Sequence, residues 1–287
     1  MDDPSRVARL LLESATTLAN ATNARAILVA IDALPDLDAV PKRVILVARN
    51  DEEHEQAAAL AGDARTIVVP NVELDRLGQV KLAAIIALSR RKIDLNDDVI
   101  FLAGPFRSLI DTLVAMTMGA EYELFDTTNQ PGIDEHIKRA VFYRVLDIAL
   151  ALGQHGREGR KTGALFVIGD VRQVLEQSEQ MILNPFKGYD EKTRNILDDM
   201  MTETVKEYSS IDGAFVIRGN GVIETAGARL KAGMSEGIPS GLGARHAAAA
   251  GITAYTRSIS ITVSSSDGIV RVWRAGKLVA SFEPSGR

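Results

Sequence analysis

Four short apolar runs recur through the first 125 residues: 26–31 (AILVAI), 44–48 (VILVA), 66–69 (TIVV) and 99–103 (VIFLA). Each is too short for a helix and rich in β-branched residues, the pattern of a parallel strand buried on both faces. Helical periodicity fills 5–20, 52–61, 73–90 and 106–118, with Pro4 and Pro105 where a first helical turn tolerates proline. A further short strand is expected at 121–125. Strict β/α alternation of this kind leaves few folds. It predicts a doubly wound α/β domain with a parallel sheet and helices on both faces.

The texture changes after 126–132 (DTTNQPG), a turn-rich break. The pattern predicts two domains, 1–128 and 129–287, in keeping with a chain of 287 residues. One long helix is expected over 133–153, with Ile137, Val141, Val145, Ile148 and Leu152 on one face. The glycine- and charge-rich stretch 153–163 reads as a loop. Strands are expected at 164–168, 214–218, 221–226, 258–264, 269–274 and 277–282, and helices at 171–178, 191–208 and 243–256. Asp267-Gly268 between two alternating runs signals a hairpin. The second domain is thus a mixed-sheet α/β unit.

Composition excludes several classes of chemistry. There is no cysteine, so disulfides, thiol catalysis and thiolate metal sites are out. Only His54, His136, His155 and His246 could supply imidazole. A net charge of −5 argues against duplex DNA, nucleic acid in general or an anionic membrane as partner. No apolar run reaches the roughly 18 residues of a membrane span. The N-terminus, MDDPSRVARLLLES, lacks a basic leader and a cleavage site, so a cytoplasmic protein is expected.

Chemistry concentrates late in the chain. Nine of the 23 glycines fall between 213 and 251. The run from Gly237 to Gly243 (GIPSGLG) leads straight into an alanine-rich helix with Arg245 and His246 in its first turn. A helix start preceded by glycine offers free N–H groups and a partial positive charge to phosphate oxygens, and arginine adds a bidentate cation. The spacing is neither a Walker A loop nor a dinucleotide fingerprint. Asp212-Gly213 is either a hairpin turn or the mouth of the strand that follows. In the second case Asp212 is a free carboxylate suited to a divalent metal. Ser264, Ser265 and Ser266 end the 258–264 strand, and a polar hairpin loop accounts for the last two.

Asp212-Gly213-Ala214 and Gly243-Ala244-Arg245-His246, about thirty residues apart, resemble the DGA and RHR signatures of diadenylate cyclase (DAC) domains. Gly163–Ile168 resembles the opening strand of that family. Asn184–Tyr189 and Glu203–Glu207 are similar to segments of its DNA-scanning members, and Val263-Ser264 with Gly268 resembles its strand-end serine and turn. The resemblance spans roughly 160–280. The first domain is similar to the pyruvate-kinase C-terminal fold, a pairing carried by an archaeal-type branch. Four positions depart from the pattern: Ala244 replaces Thr or Ser, Ala247 replaces arginine, and Ser265 and Ser266 replace acidic residues.

The resemblance implies condensation of two ATP into cyclic di-AMP with release of two pyrophosphates, assisted by Mn or Mg. It implies that Asp212 holds the metal, with His246 as a second ligand or a triphosphate contact. It places Arg245 and the N–H groups of Ala244, Arg245, His246, Ala247 and Ala248 on phosphate, Gly213, Ala214 and Leu230 beside adenosine, Gly243 at the helix start and Ser264 on phosphate. One domain holds one ATP, so the active unit is a homo-oligomer, at least a dimer of facing domains. Two other readings compete: an ATP or cyclic di-AMP sensor weakened in catalysis, and an interaction protein acting through its first domain.

Overall fold

In a computed structural model the described residues are 4–34, 40–94, 96–118, 136–157, 159–231 and 243–283. The chain divides into two compact units, Met1–Thr128 and Asn129–Pro284.

The first unit runs α1 (Pro4–Thr22), β1 (Ala26–Ala30), β2 (Val44–Ala48), α2 (Asp51–Ala61), β3 (Thr66–Val68), α3 (Arg76–Ser89), β4 (Asp98–Ala103) and β5 (Thr112–Thr117). The sheet order is β3-β2-β1-β4-β5, parallel from β3 to β4. Ala8, Leu12, Ala15 and Ala19, on one stripe of α1, pack on Ile27, Val29, Ile100 and Leu102. Chain chemistry sets the helix starts. Asn50 accepts from the Glu53 N–H at 2.8 Å and its side-chain amide donates back to the Glu53 carboxylate at 3.0 Å, capping α2, while that carboxylate also accepts from the Arg49 N–H at 2.7 Å. Asp75 caps α3 through the Gly78 N–H at 2.6 Å.

One expected element is corrected. Residues 106–118 do not form a helix: 112–117 is β5, antiparallel to β4 over the whole register from Asp98–Thr117 to Ala103–Thr112. Phe106, Leu109, Ile110 and Leu113 imitate helical spacing. The segment TLVAMT is nonetheless β-prone, and the open edge of β4 offers it a full ladder of hydrogen bonds. The doubly wound sheet therefore carries an antiparallel edge strand. The strand expected at 121–125 and the break at 126–132 lie outside the described residues.

The second unit comprises α4 (Arg139–His155), β6 (Ala164–Ile168), α5 (Val171–Glu176), β7 (Ser178–Gln180), α6 (Asp199–Tyr208), β8 (Ala214–Ile217), β9 (Ile223–Leu230), α7 (Ala244–Tyr255), β10 (Ile259–Val263), β11 (Val270–Arg274) and β12 (Lys277–Phe282). Its order is β12-β11-β10-β6-β8-β9-β7, and β6–β8 is the parallel pair in an otherwise antiparallel sheet. Strand alternation sorts the two faces. Leu165, Val167, Ala214, Val216 and Trp273 meet Ala249, Ala250 and Ile252 of α7. Val270 points to the other face, where Gly153 of α4 packs.

Boundaries moved where tertiary contacts intervened. The long helix starts at Arg139, with Ile137 buried ahead of it, and continues through Gly153 to His155. A Cβ at 153 would stand 2.3 Å from the Gly268 carbonyl oxygen, so glycine lets the helix continue beneath the β10–β11 turn. The helix expected over 191–208 begins only at Asp199, after Asp198 accepts from the Met200 N–H at 3.0 Å. β9 extends to Leu230 because β7, a polar SEQ segment with no strand signature, pairs along it.

Candidate active site

Asp212 and Gly213 link α6 to β8. Gly213 has φ of 106°, and a Cβ there would lie 2.6 Å from the Gly227 carbonyl carbon on β9. Only glycine fits both the left-handed backbone and the close strand approach. The sharp entry leaves Asp212 at the strand mouth with its side chain 81% exposed. The strand-mouth reading of Asp212-Gly213 is the one realised.

Gly243 is the N-cap of α7, in extended conformation and without a side-chain cap. The N–H groups of His246 and Ala247 turn back to the Gly243 carbonyl at 3.0 and 3.3 Å. Those of Ala244 and Arg245 precede the first helical bond and have no intrahelical acceptor. Arg245 Nη2 donates to Asp212 Oδ1 at 2.9 Å. Its Nη1 occupies the space a side chain at 163 would need, 2.6 Å from an ideal Cβ on Gly163. The glycine opening β6 thus makes room for the arginine of α7.

Ser264, buried at the end of β10, donates its N–H to the Ile269 carbonyl at 3.0 Å and accepts the Gly268 N–H on its own carbonyl at 3.0 Å. Its Oγ lies 3.0 Å from Ser266 Oγ. Asp267 is held below the usual carboxylate range: burial would raise it, but hydrogen bonds from Ser264 and the Ile269 N–H, with Arg271 nearby, outweigh that.

These elements enclose a cleft of about 450 Å³. Asp212, Gly213, Ala214 and Leu230 line it from the β8–β9 side, Gly243, Ala244, Arg245, His246 and Ala248 from α7, and Ser264 from β10. Ala247 does not line it. Its neighbours at 245, 246 and 248 do, and its N–H is spent on Gly243. Residues 237–242 of the glycine-rich run lie outside the described residues. Sequence reasoning missed Leu165, Met181, Ala228, Arg229 and Val263, which also line the cleft, and Ser265 and Ser266, read from the sequence as a polar hairpin loop, line it too. Met181 follows β7, an element without a local signature.

It also missed Arg271. Nη1 of Arg271, on β11, stands 3.2 Å from Nε2 of His246. His246 is buried and lies edge-on to Trp273, with ring centroids 6.1 Å apart. Burial, Arg271 and Arg245 push its pKa down to about 4, against the opposing pull of Asp267. The imidazole is neutral near pH 7, and Nε2 faces a group that can only donate. A signal existed: strand alternation puts Arg271 on the same face as Trp273, under α7.

No group of three or more His, Asp or Glu side chains that could hold a metal occurs among the described residues. One exposed carboxylate still suits Mg or Mn, which commonly bind through one or two carboxylates plus substrate phosphates and keep several waters.

The described residues of the first unit hold a smaller and mostly apolar cavity. It has a volume of about 40 Å³ and is lined by Arg49, Gln79, Phe101 and aliphatic side chains. The buried Arg49 is ion-paired to Asp32, and its guanidinium donates to Gln79 at 3.2 Å. His54 is bonded to Asp63 at 3.1 Å on the surface. No helix among the described residues is long and apolar enough to cross a membrane.

An uncapped helix start, an arginine and a carboxylate around one cleft suit a phosphate-bearing ligand, and the second unit falls in a protein class of that description. Residues 151–278 match the family described as DisA bacterial checkpoint controller nucleotide-binding, and residues 8–125 match the probable sensor domain DacZ_P. The chain is 36% identical over 226 residues to a diadenylate cyclase of Methanocaldococcus jannaschii, covering 76% of this chain and 70% of that one. It is 34% identical over 203 residues to a diadenylate cyclase of Haloferax volcanii, covering 69% and 72%. A crystal structure of a double mutant of DacA from Staphylococcus aureus overlaps 48% of this chain and 83% of its own, at 24% identity and a TM-score of 0.32. The chain belongs to the diadenylate cyclase family.

Proposed function

We propose that the cleft binds one ATP and that two such clefts, facing each other in a homodimer or larger assembly, condense two ATP into cyclic di-AMP. The 3′-oxygen of each ATP bonds to the α-phosphorus of the other, the bond to the pyrophosphate oxygen breaks, and the hydroxyl proton leaves to solvent or to a carboxylate. Such chemistry needs in-line alignment and charge neutralisation more than a strong base. The observation that carries the reading is the convergence of Asp212, Arg245 and the uncapped start of α7 on a cleft of about 450 Å³.

Each residue has a role in this reading. Gly243, Ala244 and Arg245 hold phosphate through backbone N–H groups and the guanidinium. Nη2 of Arg245 stays with Asp212, and Nη1 meets phosphate oxygen. Ala244 lacks a hydroxyl, but its N–H survives. Gly213, Ala214 and Leu230 lie beside adenosine, and Ser264 touches phosphate. Asp212 would hold Mn or Mg together with phosphate oxygens, and its exposed carboxylate is available to accept the 3′-hydroxyl proton. When bound, the metal neutralises phosphate charge and polarises the phosphoryl group. His246 serves better as a phosphate contact than as a ligand, because Arg271 already engages its Nε2.

The first unit serves assembly or regulation in this proposal. Incubation of the full chain with ATP and Mn or Mg, followed by mass detection, tests the function. Cyclic di-AMP and two equivalents of pyrophosphate per product support it. Tight ATP binding without product favours the sensor reading, and no binding to the second unit favours an interaction protein.

A further inference from the structure

His246 reaches the cleft from the first turn of α7, yet its Nε2 points back at β11, 3.2 Å from Nη1 of Arg271. A guanidinium carries five N–H donors and no acceptor. The nitrogen it faces must therefore present its lone pair. In a neutral imidazole the single proton then sits on Nδ1.

We propose that Arg271 is a positioning residue for the cyclase reaction: by donating to Nε2 of His246, it keeps the ring proton on Nδ1, so that the imidazole meets substrate phosphate as a hydrogen-bond donor. The inference rests on the reading of the cleft as an ATP site. The surroundings hold the arrangement in place. Trp273, two residues on along the same strand face, packs edge-on against the imidazole and is itself tied by Nε1 to Thr262 Oγ1 at 3.0 Å. Thr262 in turn donates to the Arg271 carbonyl at 3.3 Å. Strand, indole and guanidinium thus leave the ring little rotational freedom. A donor fixed toward developing phosphate charge stabilises the transition state more than the ground state.

The test uses the full chain. Long-range ¹H–¹⁵N correlation spectra of histidine-labelled protein report each ring's tautomer, and His246→Gln identifies the relevant signals. In the wild type, Nδ1 should show the protonated shift and Nε2 the lone-pair shift at pH 7. Arg271→Lys keeps a donor and should retain both the tautomer and most of kcat. Arg271→Met removes it and should lower kcat about tenfold, less than the roughly hundredfold or more of deleting a directed donor itself, because part of the ring population keeps its proton on Nδ1, with KM for ATP within about twofold. An Nε2-protonated or charged His246 in the wild type overturns the proposal even if Arg271→Met does not fold. So does an Arg271→Met variant with unchanged kcat. A wild-type chain that makes no cyclic di-AMP overturns the reading of the site instead, whatever the tautomer.

Discussion

Arg245 and Asp212, thirty-three residues apart in the chain, meet across the cleft at 2.9 Å, tying the first turn of α7 to the mouth of β8. The pair is exposed on the carboxylate side, so it adds little to stability. Its consequence is geometric: a cation and an anion stand side by side on the wall of one cleft, and each is expected to fail differently when removed.

Asp212→Asn keeps the shape and removes the charge. Turnover should drop at least a hundredfold, the scale of losing a charge-stabilising group, while the melting temperature moves less than about 3 °C because an exposed ion pair contributes little. Mass detection of cyclic di-AMP beside a thermal melt checks both. Near-native activity would remove Asp212 from the site.

Arg245→Ala deletes a charge-assisted contact worth roughly 1.5–3 kcal/mol, about tenfold or more in affinity. Titration with 3′-deoxy-ATP, which cannot react, should show that weakening. Unchanged affinity would move the phosphates away from α7.

Gly163 and Gly213 should respond differently to alanine. At 163 the added Cβ meets only the flexible end of Arg245, 2.6 Å away, and Ser265 Cβ at 3.1 Å. Gly163→Ala should fold nearly normally but displace the guanidinium, weakening 3′-deoxy-ATP binding several-fold, within the scale of one charge-assisted contact. At 213 the Cβ meets Gly227 backbone and φ is 106°. Gly213→Ala should destabilise the fold by at least about 1–3 kcal/mol, read from urea unfolding. Equal effects at both positions would contradict this division.

His246 titrates at about 4 in the folded chain against 6.5 when unperturbed. Between those values the unfolded state binds the extra proton, so stability falls as pH drops from about 6.5 toward 4, and is unaffected by this residue above that window. His246→Gln should flatten the urea midpoint between pH 6.5 and 5 relative to wild type. Parallel profiles for the two proteins would show that the histidine is not held neutral.

A truncation to about 129–287 should still make cyclic di-AMP at high protein concentration, with a steeper dependence of specific activity on concentration than the full chain. Tethered assembly raises the effective concentration of facing sites. Equal dependence in both chains would exclude an assembly role for the first unit.

Much of this protein is determined locally. The parallel strands β1 to β4, the strands and hairpin of the second unit, the cap at Asn50 and the Asp212-Gly213 and Gly243–His246 motifs follow from residue type and short-range spacing. Each depends on φ/ψ preference or on alternation along one segment. Apart from the start of α6, set by the local Asp198 cap, the departures involve partners distant in sequence. TLVAMT became β5 because β4 had an open edge, and SEQ became β7 because β9 did. α4 ran through Gly153 because Gly268 lies against it. Ala247 left the site, and Arg271 entered its wall, through the rotation of α7 over β11. Gly163 matters because Arg245, eighty-two residues later, fills the space it leaves. Periodicity along a segment records which face is apolar, but not which distant segment covers it. Long-range packing alone brought these groups within hydrogen-bonding distance.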